Sequence, residues 1–151
     1  MKKNIQFEKT VLPCLGKTAK IAGYYFTDSF QENGIDLSKE QWLVLKKLYD
    51  KDGQTQNDLA FITNRSKTSL TRLINTMEKK DVVYRLISKE DKRINHIYLS
   101  EKGKSVFLRS LPVLKNMIED LEKSISEEDL KRTIEVLHQI QNNIHKKIRI
   151  N

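Results

Sequence analysis

A chain of 151 residues, 38% hydrophobic and 32% charged with 5 Gly and 2 Pro, is sized for one domain, and its composition is that of a soluble helical protein rather than a low-complexity chain. No apolar run approaches the roughly 20 residues of a membrane span, and Lys2-Lys3 is followed by no apolar segment or small-residue cleavage site. Neither a spanning helix nor a secretory signal is therefore expected, and the cytoplasm is the expected location. The net charge of +8 is uneven: residues 64–104 hold 11 Lys/Arg against 5 Asp/Glu, leaving 17 against 15 elsewhere. A basic excess gathered in about a quarter of a chain is the footprint of a phosphate-binding surface.

From Phe7 to Gln31, Val11, Leu15, Ala19, Ala22, Phe26 and Phe30 recur at spacings of three or four, which predicts a long amphipathic helix with Pro13 near its start. Gly34 supplies a stop. Ser38 with Gln41 forms a capping box for a second helix, whose Trp42, Leu45, Leu48 and Tyr49 share a face before Gly53 ends it. Thr55, with Asp58 three residues on, caps a helix of barely two turns with Leu59, Ala60 and Ile62 as its apolar face.

Ser66 caps a longer helix in which Leu70, Leu73, Ile74 and Met77 follow i, i+3, i+4, i+7. The outward face then centres on Thr68, Arg72, Asn75 and Lys79, with Thr71 and Thr76 at its edges and Lys67 in the first turn. Hydroxyl side chains reach phosphates and either base type, while Arg and Asn bond bidentately to guanine and adenine, so this face suits a major groove. An ordinary solvated helix would look similar, but the next stretch favours the DNA reading. Val82 to Ser88 and Ile94 to Ser100 are rich in β-branched and aromatic residues and flank a polar tip, Lys89-Glu90-Asp91-Lys92-Arg93, predicting a hairpin. A hairpin directly after a basic helix is a wing, which places Lys89, Lys92 and Arg93 against backbone or a minor groove. Asp91 is expected to hold Arg93 through a charge-assisted pair, or simply to form the turn.

Ser100 then caps a helix with the stripe Phe107, Leu111, Leu114, Ile118, Leu121 and Ile125, and Pro112 predicts a bend in it. Ser126 with Asp129 opens a last helix with Leu130, Ile134, Leu137, Ile140, Ile144 and Ile148 along one side. These helices exceed what a small winged domain needs to cover itself. The expected fold is mainly α with a small β-wing: a single domain, 1–151, in which a winged helix-turn-helix DNA-binding region (37–100) is flanked by N- and C-terminal dimerisation helices (1–36 and 101–151).

The run Leu37 to Leu45, the Leu59-Ala60 pair, Ser69 to Val83, the Asp91-Lys92-Arg93 tip and Leu99-Ser100-Glu101-Lys102-Gly103 together resemble the MarR family of bacterial transcriptional regulators across nearly the whole chain. The resemblance implies an obligate homodimer on a pseudo-palindromic operator in double-stranded DNA, acting as a repressor and released by a small aromatic effector. It also implies Arg93 in the minor groove and Asp91 with Arg93 as the wing's D-x-R motif. The DNA-binding residues expected on this reading are Ser66, Lys67, Thr68, Ser69, Thr71, Arg72, Asn75, Lys89, Asp91, Lys92 and Arg93. Asp81 departs from the pattern, standing where such proteins usually carry glycine after the recognition helix.

Other readings have less behind them. Cys14, the lone cysteine, lies near where organic-hydroperoxide sensors of the same resemblance place a reactive thiol, with Lys17 and Lys20 close in sequence; no supporting tyrosine pair accompanies it. His138, His145 and Glu135 share a face but fall short of a metal site. Tyr24, Tyr25 and Trp42 are candidate effector contacts, equally explained by core packing. With no phosphate-cradling glycine loop, nucleophile elbow or multi-carboxylate motif, neither an enzyme nor a cofactor is expected. A protein-interaction module that does not bind DNA is the alternative of another class.

Overall fold

The computed structural model describes residues 6–147, so Ile148, the last residue of the predicted C-terminal stripe, lies outside the described residues, as does Lys2-Lys3. The chain forms two compact units, Met1–Leu114 and Lys115–Asn151. Among the described residues no helix is long and apolar enough to cross a membrane.

In the first unit a 3-10 turn, Phe7–Lys9, precedes α1 (Val11–Glu32). The helix therefore starts four residues later than its stripe suggested. Thr10 adopts an extended conformation and returns its N–H and hydroxyl to the carbonyl of Phe7, at 3.0 and 2.7 Å, and this local closure separates the turn from the helix. Pro13 then sits in the first turn, where no helical hydrogen bond is lost. Only Phe26, Ser29 and Phe30 of α1 are buried; Val11, Leu12 and Ile21 remain exposed. Gly34 ends the helix at φ +66°, and the N–H of Ile35 reaches back to Phe30 at 2.9 Å.

Both arms of the Ser38–Gln41 capping box form, at 3.2 and 3.1 Å, opening α2 (Lys39–Asp50). Beyond Gly53 the chain enters β1 (Gln54–Thr55), a strand too short to leave a period-2 signal in the sequence. Gln54 is buried, and its Nε2 donates at 2.9 Å each to the carbonyl of Lys47, which also accepts the N–H of Lys51, and to the carbonyl of Lys51, tying the end of α2 to β1.

α3 (Gln56–Ile62) and α4 (Lys67–Lys79) follow, then β2 (Val83–Ile87), β3 (Asn95–Leu99) and α5 (Glu101–Leu121). The hairpin was expected one residue longer at each strand end. The sheet is antiparallel in the order β1-β3-β2, with Gln54 and Arg85 on either side of Ile97. Ile97 is fully buried, as are Phe30, Leu45, Leu48, Leu59, Leu70, Ile74, Met77 and Phe107. Ile62, expected in the apolar face of α3, is instead exposed beside Phe61, because seven residues bury only one side of that helix. His96 of β3 is tied to the turn before β1, its Nδ1 lying 3.0 Å from the carbonyl of Gly53.

Ser100 caps α5 through the N–H of Gly103 at 2.9 Å, and its hydroxyl is donated to the carbonyl of Asp81. The buried positions of α5 are Gly103, Val106, Phe107, Ser110 and Met117, whereas Leu111, Ile118 and Leu121 of the predicted stripe are exposed. A hydrophobicity count passes over Gly103 and Ser110, yet those two lie inward, one for close backbone approach and one for a buried hydrogen bond. The helix continues through Pro112 and stops at Leu121; Ile125 falls in the following turn, which contains Ser124 at φ 62°.

In the second unit, α6 (Glu127–His145) begins at Ser126, whose Oγ accepts the N–H of Asp129 at 3.1 Å. No residue of α6 is buried. Ile134 and Ile144 are exposed, and Leu130, Leu137 and Ile140 are partly so, which leaves an apolar stripe largely open.

Candidate nucleic-acid interface

The hydroxyl of Thr55 accepts the N–H of Asp58 at 3.1 Å and starts α3 as the sequence predicts. Asn64 takes φ 52° after it, and the N–H of Arg65 closes onto Ala60 at 2.9 Å. This left-handed corner makes the tight link between two helices characteristic of a helix-turn-helix. Two side-chain contacts absent from the sequence reading brace the pair: Gln56 Nε2 donates to Thr71 Oγ1 at 2.5 Å, and Arg65 Nη1 donates to Ser69 Oγ at 2.8 Å.

Thr71 also donates to the carbonyl of Lys67 at 2.8 Å, so its hydroxyl is occupied in both directions. From the edge of the outward face it also braces α3 against α4. Ser66 and Ser69 lie at the α4 N-terminus as predicted, with Ser66 Oγ accepting the N–H of Ser69 at 3.1 Å. Lys67, Thr68, Arg72, Asn75, Thr76 and Lys79 are exposed. Leu70, Ile74 and Met77 are fully buried with Leu73 at the margin, so the helix is turned as its apolar spacing requires.

Asp81 carries α4 into the wing at φ 58°, the left-handed conformation usually left to glycine, while the N–H of Val82 returns to Met77 at 3.1 Å. Arg85 of β2 then reaches back to α4: its Nη1 donates to Glu78, and its Nη2 donates to Asn75 Oδ1 at 2.8 Å. Asn75 is thus exposed but not free. Arg85 was missed because a strand residue and a helix residue ten positions apart meet only once the hairpin folds.

At the wing tip, the Oγ of Ser88 accepts the N–H groups of Glu90 and Asp91 at 3.2 and 3.3 Å. The Asp91 carboxylate accepts three bonds from Arg93, from its backbone N–H at 3.0 Å and from Nε and Nη2 at 3.1 Å each. The Arg93 side chain donates the strongest of these influences and its backbone N–H the next; together they hold the Asp91 carboxyl below the usual carboxylate range. Lys89 and Lys92 are exposed on either side and make no ion pair among the described residues. A polar cleft of about 210 Å³ joins wing to helix, with Lys67, Arg93, Asn57 and Asn95 on its walls. Asn57 and Asn95 carry no motif and were invisible until the cleft was formed.

The remaining candidates separate cleanly. Trp42 is a core residue, buried, with Nε1 donating to Ser110 Oγ at 2.7 Å and its ring stacked 5.7 Å from Phe107. Tyr24 is exposed with the Lys20 ammonium 5.9 Å from its ring centre, and Tyr25 is half-buried. Cys14 is an exposed free thiol. His138 and His145 are exposed, and among the described residues no three His, Cys, Asp or Glu side chains gather at a metal-binding distance.

A family model described as MarR family matches residues 37–94. The chain is 30% identical over 118 residues, covering 74% of it and 75% of its relative, to the uncharacterized HTH-type transcriptional regulator YybA of Bacillus subtilis strain 168. Its fold matches that of the S. aureus MepR–DNA complex with a TM-score of 0.82, at 23% identity over 89% of this chain and 98% of that one. It equally matches the transcriptional repressor CouR bound to a 23-mer DNA duplex, with a TM-score of 0.82 at 18% identity, covering 93% and 99%.

Proposed function

Because the chain belongs to the MarR family and is a transcription regulator rather than an enzyme, we propose that it is a cytoplasmic homodimeric repressor that binds a pseudo-palindromic operator in duplex DNA. Residues 37–100 form the DNA-binding region, and 1–36 with 101–151 supply the dimerisation helices. On this reading Ser66, Lys67, Thr68, Ser69, Thr71, Arg72 and Asn75 face the major groove, and Lys89, Lys92 and Arg93, steadied by Asp91, take the wing to the backbone or minor groove.

The observation that carries the reading is the cleft in which Lys67, from the first turn of α4, and Arg93, from the wing tip, line one polar wall-to-wall space. Cations brought together from two elements with no acidic residue among those lining them are suited to consecutive phosphates. The two DNA-bound structural neighbours are consistent with the same use. Dimerisation is supported by the open stripe of α6 and by exposed Val11, Leu12 and Ile21 on α1, apolar surface that an isolated chain would leave in water.

Selection of bound fragments from genomic DNA, followed by footprinting and a salt titration, tests the proposal. A two-fold footprint with half-sites roughly 10 bp apart is expected, since paired recognition helices meet successive major grooves about 34 Å apart. Affinity should fall linearly on a log–log salt plot with a slope near −0.9 per phosphate neutralised. Salt-insensitive or absent DNA binding would instead identify a protein-interaction module. Repeating the assay with small aromatic acids tests ligand-driven release, for which Tyr24 and Tyr25 stay as contacts to mutate.

A further inference from the structure

We infer that Arg85 decides which base Asn75 reads, by turning the Asn75 amide so that its oxygen faces the wing and its –NH2 group is the part left for DNA. The inference rests on the proposed DNA-binding role of α4 and assigns one specificity within it.

Arg85 stands directly opposite Ile97 in the β2–β3 pairing, and cross-strand partners project to the same side of a sheet. Ile97 is fully buried, so the stem of Arg85 starts on the covered side and its side chain is only 20% exposed, while neighbouring Tyr84 and Leu86 are exposed. From there the guanidinium spans one turn of α4, with Nη1 on Glu78 and Nη2 on Asn75 Oδ1 at 2.8 Å. Glu78 anchors the fork so that Arg85 cannot follow Asn75 elsewhere.

An arginine has donors only, so the amide atom facing it must be the oxygen; the flipped amide would set N–H against N–H. A charge-assisted bond of this kind is about twice as strong as a neutral one. Among the described residues the Asn75 Nδ2 makes no hydrogen bond, and Asn75 is exposed.

The usual bidentate pairing of Asn with adenine requires the amide oxygen to accept from N6 while Nδ2 donates to N7. With that oxygen turned toward the wing and one of its lone pairs taken by Arg85, the –NH2 group is the part of Asn75 left toward the groove. Guanine, which presents the two acceptors N7 and O6 in the major groove, satisfies both N–H groups, whereas adenine opposes one of them with its own N6 donor.

The test is a selected binding-site profile for the full-length wild type, Arg85→Met and Asn75→Asp, with folding checked by circular dichroism. Wild type should prefer guanine at one position per half-site. Arg85→Met frees the amide and should move that position toward adenine on the order of tenfold, the scale of one bidentate base contact. Asn75→Asp keeps an acceptor beside Arg85 and turns the second oxygen outward, so it should favour cytosine, whose N4 is a donor. A wild-type preference for adenine, or profiles unchanged in the folded variants, overturns the inference; should Arg85→Met not fold, the wild-type choice between guanine and adenine decides alone. Failure of wild type to bind any fragment would refute the DNA-binding proposal itself, a distinguishable result.

Discussion

Arg93 grips both carboxylate oxygens of Asp91 through Nε and Nη2, yet its own side chain stays 90% exposed. The acid therefore orients the cation without shielding it. Removing a negative charge near phosphate should by Coulomb's law alone tighten binding, whereas losing the pair releases a long side chain to many rotamers. The second effect is expected to win: Asp91→Ala should weaken operator binding about two- to fivefold, the range of an exposed ion pair. Arg93→Ala should weaken it across all sequences and flatten the salt slope by about one. Tighter binding by Asp91→Ala in a salt-controlled titration would show that Asp91 only forms the turn.

The pH dependence of that pair has a definite sign. A carboxyl whose folded pKa lies below its ordinary value contributes above the ordinary value and loses the contribution as pH falls through the depressed one. The ratio of wild-type to Asp91→Ala affinity should thus stay flat from about pH 5 to 8, outside the titration range of a lowered carboxylate. A ratio that collapses between those limits would contradict the geometry at the wing tip.

Ser110→Ala should destabilise the protein more than its size suggests. The change leaves the indole N–H of Trp42 buried and unpaired, a penalty of about 1–3 kcal/mol, or a fall of several degrees in Tm at fixed protein concentration. In the Trp42→Phe background the same mutation should do far less, because no donor is stranded. Equal effects in the two backgrounds would show that the bond contributes nothing.

Gly103→Ala sets helix propensity against sterics. Alanine gains roughly 1 kcal/mol over glycine inside a helix. An added Cβ, however, would lie 1.9 Å from the carbonyl oxygen of Val82, a backbone atom just before β2 that has no rotamer to yield. Sterics should prevail, with a net loss above about 2 kcal/mol in chemical denaturation. A neutral or stabilised variant would mean that α5 and the wing can part without consequence.

Asp81→Gly should go the other way. Asp81 holds φ 58°, a conformation that costs most L-residues about 1–2 kcal/mol and Asp somewhat less. Glycine removes that strain but gives back unfolded-state entropy, so a net gain of about 0.5 kcal/mol is expected, and Asp81→Val should be clearly destabilising. Thermal unfolding of the three proteins side by side checks the order Gly, Asp, Val.

The order of the helices, the buried face of α4 and the position of the wing were legible from sequence alone. Each is set by local chemistry: hydroxyl caps at Ser38, Thr55, Ser66 and Ser126, an i, i+3, i+4, i+7 stripe, and β-branched residues flanking a charged tip. Contacts between segments were not legible. The pairing of β1 with β3, the Gln56–Thr71 brace, the inward turn of Gly103 and Ser110, and the reach of Arg85 to Asn75 all join residues distant in sequence or placed in different elements. Periodicity told which side of a helix faces the core, because burial of apolar surface acts on a residue wherever its neighbours come from. Hydrogen-bond partners are single atoms at defined distances, and only the folded chain decides which of them meet. By sequence, Asn75 was a reader of adenine on a free face; in the folded wing it is an amide already held by Arg85.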